Sequence, residues 1–350
     1  MSSKDNEQIE ESKDKPAVVA GFDLDSVPSQ AGRIAIVTGA NTGLGYETTL
    51  QLAKKRMKVI MACRSLDKGR RALEEIQDKE KGADVEVMQL DLGMLESVKE
   101  FTRQFREKHG RLDLLINNAG VMWLSYVKTR DGFESHFQVN HLGHFLLTSE
   151  LIDLMPDTPD SRVVTLSSVA HKMGLGRLRF EDLQWDKGYS RSKAYSQSKL
   201  ANLMFAIELD RRLKSAGRNI RSVAAHPGYT ETDLQRHSSP FGGWLMSKIL
   251  APFLAHPMAD GAMPTLMAAY WSGAKGGDYF GPRDAWELKG APGYAVKSDY
   301  AQNADAGRQL WEESEKLLGI RFKVDDPPLA IAGGGTQKAA GFLDKWCPFF

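Results

Sequence analysis

Short apolar runs alternate with helical patterns along most of the chain. Six such runs lie at residues 34–37, 58–63, 85–90, 112–116, 162–166 and 219–225. Their length and continuous apolar composition are typical of strands buried on both faces of a parallel sheet. Segments with apolar residues at helical spacing separate them, which indicates right-handed βαβ units. We therefore expect a single doubly wound α/β domain, with a parallel sheet and helices on both faces.

The remaining elements continue this pattern toward the C-terminus. Long helices are predicted over residues 133–151 and 194–213, and a shorter helix is predicted over 262–271. A last strand with its turn is predicted over 276–281, followed by a polar closing helix over 305–318. The elements are not copies of one another at any fixed period, so the pattern describes one domain rather than a repeat array.

Both ends of the chain and one internal segment depart from the alternation. Residues 1–25 are polar and lack the apolar core of a signal sequence, so they are predicted to form a mobile leader before a domain over 26–322. Residues 323–350 are predicted to be a C-terminal extension. Within the domain, the segment over about residues 229–260 has large apolar side chains and is interrupted by glycine and proline. A lid over an apolar substrate is one interpretation; a subunit contact or a membrane-surface patch is the other.

Composition narrows the classes of function. The chain has 350 residues, 42% of them hydrophobic and 26% charged, with a formal net charge of +1. These values are typical of a soluble globular protein and give no reason to expect nucleic acid as a partner. No apolar run reaches the roughly 18 residues that a membrane span needs. The two cysteines, Cys63 and Cys347, lie in no metal-ligand spacing, so we expect no metal site and a reducing, cytoplasmic location.

A glycine-rich turn follows the first predicted strand and leads into a helix. It reads Thr38-Gly-Ala-Asn-Thr-Gly-Leu-Gly45. Glycines let backbone N–H groups approach a pyrophosphate, and the helix N-terminus adds favourable partial charge. The spacing differs from the common Gly-x-Gly-x-x-Gly fingerprint, and a plain tight turn is the alternative. The residues predicted to bind a dinucleotide here are Gly39, Asn41, Thr42, Gly43, Leu44 and Gly45.

The end of the second predicted strand carries an arginine. Dinucleotide-binding folds that use NAD place an acid there for the ribose hydroxyls, whereas an arginine suits the 2′-phosphate of NADP. Arg64, with Ser65 and Lys68 beside it, therefore predicts NADP(H), with NAD(H) as the less favoured cofactor. The alternative is that Arg64 caps the edge of the sheet and Lys68 is a solvated helix residue.

Two further strand ends carry polar or small residues. Asp91 and Leu92 follow the third strand, where the carboxylate can accept from an adenine amino group or cap the next helix. The fourth strand ends on Asn117-Asn118-Ala119-Gly120. The last three of these residues can line the ribose side of a cofactor, although a bare loop would have a similar composition.

Tyr195 and Lys199 lie four residues apart on a predicted helix, so they share one face. A free phenol has a pKa near ~10, and a nearby ammonium lowers it. The pair can therefore serve as an acid/base near neutral pH, although such a pair is usually a solvated face. Ser168 follows the fifth strand, at the edge where open α/β sheets bind ligands. Asn140 lies in a mostly apolar helix. This position indicates either a polar function in the protein interior or a hydrogen bond to a nearby backbone group.

In this order, these motifs resemble the short-chain dehydrogenase/reductase family over residues of about 30–320. The matching residues are Thr38-Gly-Ala-Asn-Thr-Gly-Leu-Gly45, Asp91, Asn117-Asn-Ala-Gly120, Asn140, Ser168, Tyr195-x-x-x-Lys199 and Pro227-Gly228. The stretches that resemble its retinol-dehydrogenase-like branch are Met61-Ala-Cys-Arg64, Asn140-His-Leu-Gly-His-Phe145, Ser167-Ser-Val-Ala-His171 and Ser198-Lys-Leu-Ala-Asn202. That branch includes the oxidoreductase domain of the WW-domain oxidoreductase and, more remotely, protochlorophyllide reductase.

The resemblance implies a Rossmann fold and a role for each site residue. Tyr195 would exchange a proton with the substrate oxygen, and Lys199 would lower the pKa of Tyr195 and hold the nicotinamide ribose. Ser168 would hydrogen-bond the substrate oxygen, and Asn140 would hold a water that links Lys199 to solvent. Three more cofactor contacts would come from Pro227, Gly228 and Thr230. Thr42 stands where many NADP-using relatives have a basic residue, so Arg64 carries most of the cofactor prediction.

The expected function is NADP(H)-dependent interconversion of an apolar aldehyde or ketone, a small molecule of medium to large size, and its alcohol. Reduction of a ring double bond, as in protochlorophyllide reductase, is one alternative. A dinucleotide-binding sensor or scaffold with weak catalysis is another, in which the apolar segment would be a partner surface. A homo-oligomer and a peripheral membrane contact are compatible with the sequence. His171, just after Ser168, is expected to be a loop or core histidine rather than a base.

Overall fold

The protein is described by a computed structural model over residues 22–229 and 257–324. Most of the predicted leader, most of the apolar segment and most of the C-terminal extension lie outside the described residues, as do Thr230 and Cys347. Phe22 and Leu24, at the end of the predicted leader, pack against the hydrophobic core. No helix within the two described ranges is both long and apolar enough to cross a membrane.

In the described ranges, eight strands form one sheet in the order β3-β2-β1-β4-β5-β6-β7-β8. The strands are β1 Ile34–Thr38, β2 Lys58–Cys63, β3 Val85–Gln89, β4 Leu114–Asn117, β5 Arg162–Leu166, β6 Arg221–Ala225, β7 Tyr279–Asp284 and β8 Lys289–Tyr294. Every neighbouring pair from β3 to β7 is parallel, and β8 runs antiparallel to β7. The predicted doubly wound parallel sheet is confirmed. The strand order reverses between β1 and β4, which is where such sheets open a ligand-binding crevice.

The helices cover the sheet on both faces. They are α1 Gly43–Lys54, α2 Leu66–Lys79, α3 Leu95–Lys108, α4 Ser135–Phe137, α5 Gly143–Ser149, α6 Arg191–Ser215, α7 Met258–Tyr270 and α8 Ala304–Leu318. One π-helical turn, Gln138–Leu142, joins α4 to α5, so the single helix predicted over 133–151 is interrupted. Such turns occur often at functional sites.

Alternation along the central strands divides the core into two layers. On β1, Ala35 and Val37 face a cluster that includes residues of α1, α2 and α7. Ile36 faces the opposite cluster, which includes residues of α3, α5, α6 and α8. In that second layer Trp311 of α8 lies 4.9 Å from the Phe145 ring, measured between ring centroids. Both faces of the central strands are therefore mostly apolar, and the polar residues Thr38 and Asn117 are the last residues of β1 and β4.

Strand β8 is absent from the sequence prediction. Its sequence, Lys-Gly-Ala-Pro-Gly-Tyr, has few residues that favour strands. A turn with three successive residues of positive φ, Ala285, Trp286 and Glu287, connects it to β7. The strand forms through antiparallel pairing with β7, an interaction that the local sequence does not indicate.

Candidate active site

A cavity of about 900 Å³ opens at the carboxyl ends of the strands on either side of the reversal point. This volume is in the range of small-molecule and cofactor pockets. Thirteen of the residues predicted to bind a cofactor line it, namely Gly39, Asn41, Thr42, Gly43, Leu44, Gly45, Arg64, Lys68, Asp91, Leu92, Asn118, Ala119 and Gly120. These predicted residues follow the ends of β1, β2, β3 and β4, and the fold brings them together.

The glycine turn has a backbone conformation and a close packing that favour glycine. Gly39 and Gly43 have φ of 67° and 55°, a region that favours glycine. A Cβ on Gly45 would lie 2.6 Å from Asn118 Nδ2 and would also collide with the Gly39 carbonyl. Because α1 begins at Gly43, the N–H groups of its first turn, which have no partner within the helix, lie at the cavity. This arrangement fits the pyrophosphate of a dinucleotide.

Three cations line the end of the cavity next to β2. Arg64, Lys68 and Arg71 are all exposed at this end of the cavity. Ser65 acts as the N-cap of α2, since its hydroxyl accepts from the Lys68 N–H at 3.4 Å. Arg71 was missed by the sequence analysis, although its i+3 spacing from Lys68 places both on one helix face. One carboxylate, that of Glu75, also lines this region.

Asp91 holds a turn rather than the start of a helix. Its Oδ1 accepts from the Gly93 N–H at 2.9 Å, and the N-cap of α3 is Met94. The helix-capping alternative for Asp91 is therefore wrong. A Cβ on Gly143 would lie 2.7 Å from the Leu92 carbonyl oxygen, so α5 packs closely behind this wall of the cavity.

The polar residues after β4 connect this strand to β1. The Thr38 hydroxyl accepts from the N–H groups of Asn118 and Ala119, each at 2.9 Å. The Asn118 side chain donates to the Thr38 carbonyl at 2.7 Å. The alternative that this stretch is a bare loop is therefore wrong. The bonds fix the ends of both strands beside the glycine turn.

Tyr195, Ser168 and Lys199 meet at the carboxyl end of β5. Tyr195 is 8% exposed, and its hydroxyl is within hydrogen-bonding reach of the Ser168 side chain. The Lys199 Nζ lies 5.9 Å from the centroid of the Tyr195 ring and donates to the Leu166 carbonyl at 3.2 Å. A Cβ on Gly120 would lie 3.3 Å from that Nζ, so this group adjoins the Gly120 end of the cavity.

Burial is the largest influence on the pKa values of both Tyr195 and Lys199 in the structure. Burial raises the pKa of Tyr195 to about 12, opposed by its hydrogen bond with Ser168. Burial likewise lowers the pKa of Lys199 to about 8. In both residues desolvation disfavours the charged form. A solvated Tyr–Lys face, the usual meaning of this spacing, is excluded because both side chains are buried.

The Asn140 side chain holds the backbone of Val121. Its Oδ1 accepts from the Val121 N–H at 2.7 Å, and its Nδ2 donates to the Val121 carbonyl at 3.0 Å. The Nδ2 also donates to the Ser198 hydroxyl at 2.8 Å, and Ser198 donates to the Tyr195 carbonyl at 2.7 Å. Asn140 is fully buried and thereby connects the chain after β4 to the helix that carries Tyr195.

Pro227 and Gly228 lie after β6 and are not among the residues that line the cavity. Gly228 has a φ of 73°. A Cβ there would lie 2.7 Å from Pro282 Cγ and would collide with the Leu288 carbonyl. The β7–β8 hairpin therefore supports this turn from behind.

His171 is a core histidine, as expected. Its Nδ1 donates to the Ser168 carbonyl at 2.7 Å, and its Nε2 accepts from the Ser298 N–H at 3.3 Å. Burial lowers the pKa of His171 to about 4. The ring is therefore neutral near pH 7 and supports the backbone of Ser168.

Comparison with known proteins identifies the family. The model of the short chain dehydrogenase family matches residues 33–180. Retinol dehydrogenase 12 of Bos taurus is 42% identical over 295 residues, which cover 83% of this chain and 88% of that relative. The chain belongs to the short-chain dehydrogenase/reductase family. Retinol dehydrogenase 11 of Mus musculus is also 42% identical, over 83% of this chain and 87% of its own length.

Solved structures of the family share the fold. A putative uncharacterized protein from Mycobacterium Paratuberculosis is 39% identical, with a TM-score of 0.71 over 87% of this chain and 99% of that one. The Pseudomonas aeruginosa RhlG/NADP active-site complex is 23% identical, with a TM-score of 0.57 over 72% of this chain and 94% of that one. As a short-chain dehydrogenase/reductase similar to retinol dehydrogenases, the protein is an oxidoreductase of a family that binds a nicotinamide dinucleotide.

Proposed function

We propose that this short-chain dehydrogenase/reductase interconverts an apolar aldehyde or ketone and its alcohol with NADP(H). One observation carries the proposal. The Tyr195 hydroxyl and the Ser168 side chain lie within hydrogen-bonding reach of each other, and Lys199 Nζ, on the same helix, adjoins the Gly120 end of the cavity. Two hydroxyl groups at this position can hold one substrate oxygen while its charge changes.

The bound nicotinamide would supply or accept the hydride. The side chains of the protein would hydrogen-bond the substrate oxygen and exchange a proton with it. Ser168 would donate a hydrogen bond to that oxygen. Tyr195, with its pKa raised to about 12, stays protonated at neutral pH and would give its proton to the oxygen of a carbonyl during reduction. Lys199 would stabilise the phenolate that remains, because its ammonium is mostly protonated below pH 8. Protonated Tyr195 and protonated Lys199 are the forms that reduction uses, and oxidation would run through the same groups in reverse.

Replacement of Tyr195 tests the assignment of the proton donor. Tyr195→Phe should lower kcat by about 10² or more, because the ring keeps its packing and loses only the hydroxyl. The dissociation constant for NADPH, measured by fluorescence titration, should stay within about twofold. Tyr300→Phe, on the short helical turn before α8, is the matched control. Turnover near that of the parent protein in Tyr195→Phe would refute the proposed mechanism.

The three cations beside β2 support NADP(H) as the cofactor. Arg64 occupies the position at which an acid would favour NAD, and Lys68 and Arg71 line the same part of the cavity. A 2′-phosphate there would gain charge-assisted hydrogen bonds that the ribose hydroxyl of NAD cannot make. Comparison of kcat/KM for NADPH and NADH tests this choice. Equal use of the two cofactors would contradict it.

An apolar substrate is supported by the relatives and by the residues after Gly120. The relatives are named retinol dehydrogenases, and retinol is a long apolar alcohol. Met122 and Leu124 line the cavity, and Trp123 between them is 40% exposed. With n-alkanals of increasing length, kcat/KM should rise about fourfold per CH₂, since each buried CH₂ contributes about 0.8 kcal/mol. No dependence on chain length would argue for a polar substrate.

We also propose that the enzyme acts in a reducing compartment such as the cytoplasm. Cys63 is a free, buried cysteine at the end of β2, and burial raises the pKa of its thiol to about 12. A buried thiol of this kind packs as a small apolar group. Fractionation of cells that produce the chain would test the location, and recovery with secreted proteins would contradict it.

A further inference from the structure

A buried hydrogen-bonded chain runs from the glycine turn to Asn140 and does not pass through any catalytic side chain. It begins at Thr38, the residue before Gly39. The Thr38 hydroxyl already accepts from two N–H groups, so its own proton must point elsewhere. The candidate acceptors are His144 Nε2 at 2.9 Å and the Ile116 carbonyl at 3.4 Å. The shorter distance selects His144.

The second bond of His144 fixes its tautomer. Its Nδ1 lies 3.0 Å from the carbonyl oxygen of Asn140, and a carbonyl can only accept, so Nδ1 carries the proton. Nε2 is then free to accept from Thr38. Burial, together with the charge of Lys199, lowers the pKa of His144 to about 4, and the ring is neutral near pH 7. The chain therefore has one direction: Thr38 donates to His144, which donates to Asn140.

The Asn140 carbonyl lies in the π-helical turn Gln138–Leu142. In such a turn the regular helical hydrogen-bond pattern is locally shifted. On its other side, Asn140 holds Val121 and Ser198 through its side chain. His144 thus fixes the backbone of a residue whose side chain connects two walls of the active site.

We propose that His144 is a positioning residue. Through its hydrogen bonds, binding of the dinucleotide at the glycine turn fixes the position of Asn140. The inference rests on the proposed function, because it assumes that the turn binds NADP(H). When the cofactor binds next to Thr38 and Gly39, this series of hydrogen bonds would hold Asn140 in the position needed for turnover. Through Ser198, Asn140 would also hold the helix of Tyr195. His144 itself touches neither substrate nor cofactor in this proposal.

His141 provides a matched control on the same segment. It is as deeply buried as His144, with 1% of its surface exposed in each case. Its Nε2 lies 2.9 Å from the Ser314 hydroxyl on α8, and Ser314 in turn donates to the Leu310 carbonyl. This second histidine therefore contacts Ser314 of α8 and Asn202 of α6 rather than the glycine turn.

The first experiment uses histidine labelled with ¹⁵N and observes the rings by NMR. At pH 7 the His144 ring should show the Nδ1-protonated tautomer, and its signals should shift when NADPH is added while those of His141 stay unchanged. Thr38→Val keeps the side-chain shape but loses the hydroxyl, and with it the acceptor of the Asn118 and Ala119 N–H groups. NADPH binding to this variant is therefore measured separately, and at a saturating NADPH concentration the His144 response should be lost. Thr38→Ser should restore the response.

The second experiment uses kinetics with octanal. His144→Phe, which retains a ring and loses both bonds, should lower kcat about tenfold and leave the KM for NADPH within about threefold. His141→Phe should leave both constants within about twofold. Equal losses in the two variants, or NADPH binding without a change at His144, would overturn the inference. Failure of NADPH to bind the parent protein would instead overturn the proposed function. If His144→Phe does not fold, the NMR response of the His144 ring to NADPH in the labelled parent protein and in Thr38→Val still tests the inference.

Discussion

Lys199 shows how strongly burial determines the chemistry of single residues in this site. Its ammonium has a hydrogen bond to the Leu166 carbonyl but lies among buried neighbours, and burial lowers its pKa to about 8. Below pH 8 the folded and unfolded chains both carry the proton, so folding includes the cost of burying the charge. The shift from 10.5 corresponds to about 3 kcal/mol. An enzyme retains such a group when catalysis requires it.

Replacing Lys199 should therefore make the protein more stable and inactive. Lys199→Met should raise the free energy of unfolding at pH 7 by about 1–3 kcal/mol, as measured by urea denaturation. Between pH 8 and 10.5 the unfolded parent chain binds more protons than the folded one, so the stability of the parent rises with pH. The difference between the free energies of unfolding of Lys199→Met and the parent therefore becomes smaller. Lys193→Met, at an exposed position of the same helix, should have little effect. A loss of stability in Lys199→Met at pH 7 would contradict this account.

At the scale of single elements, α2 is the clearest case of a role that the local sequence contained and the prediction missed. The helix begins after Arg64 and presents Lys68 and Arg71 to the cavity. Arg70, between them in sequence, points to a different side and pairs with Asp67 at 3.4 Å. Helical periodicity alone places Arg70 on a different face of α2 from its two neighbours.

This difference between neighbouring arginines gives a test of cofactor choice. Arg64→Leu and Arg71→Leu should each raise the KM for NADPH about tenfold or more and leave the KM for NADH nearly unchanged. Arg70→Leu, as the control, should change neither value. Initial rates with both cofactors at a fixed alkanal concentration measure the effect. A loss of NADPH affinity in Arg70→Leu equal to that in Arg71→Leu would contradict the assignment.

Local spacing made much of the fold and of the site predictable. The glycine turn, the Tyr195–Lys199 pair and the strand ends each depend on residues close together in sequence. Three features could not be predicted, because they depend on contacts between distant residues: the pairing that forms β8, the burial that raises the pKa of Tyr195, and the Thr38–His144 bond across 106 positions. The π-helical turn at Asn140 was also missed, since its apolar pattern matches that of an ordinary helix.

At the scale of the whole molecule, four of the five buried histidines in the described residues make stability sensitive to acid. Burial lowers the pKa values of His141 and His226 to about 3 and those of His144 and His171 to about 4. Unfolding returns each ring to an ordinary pKa near 6.5. From pH 6.5 downward the unfolded chain therefore binds more protons, and stability falls as pH falls through this window.

The slope of stability against pH should reveal these groups. Each histidine contributes up to about 1.4 kcal/mol per pH unit, so the parent should lose stability steeply between pH 6.5 and 5. His141→Phe should have a shallower slope, because one proton fewer is taken up on unfolding. Urea denaturation at several pH values in this window measures it. The same slope in parent and variant would show that His141 is not buried as a neutral ring.

The edge strand β8 has a consequence for the behaviour of concentrated solutions. Pro292 faces Pro282 across the β7–β8 ladder, and two glycines lie within the same six residues. A proline nitrogen offers no donor to an incoming strand, and glycine weakens any extended pairing. This edge is therefore a poor template for sheet growth from one molecule to the next, which should delay fibril formation.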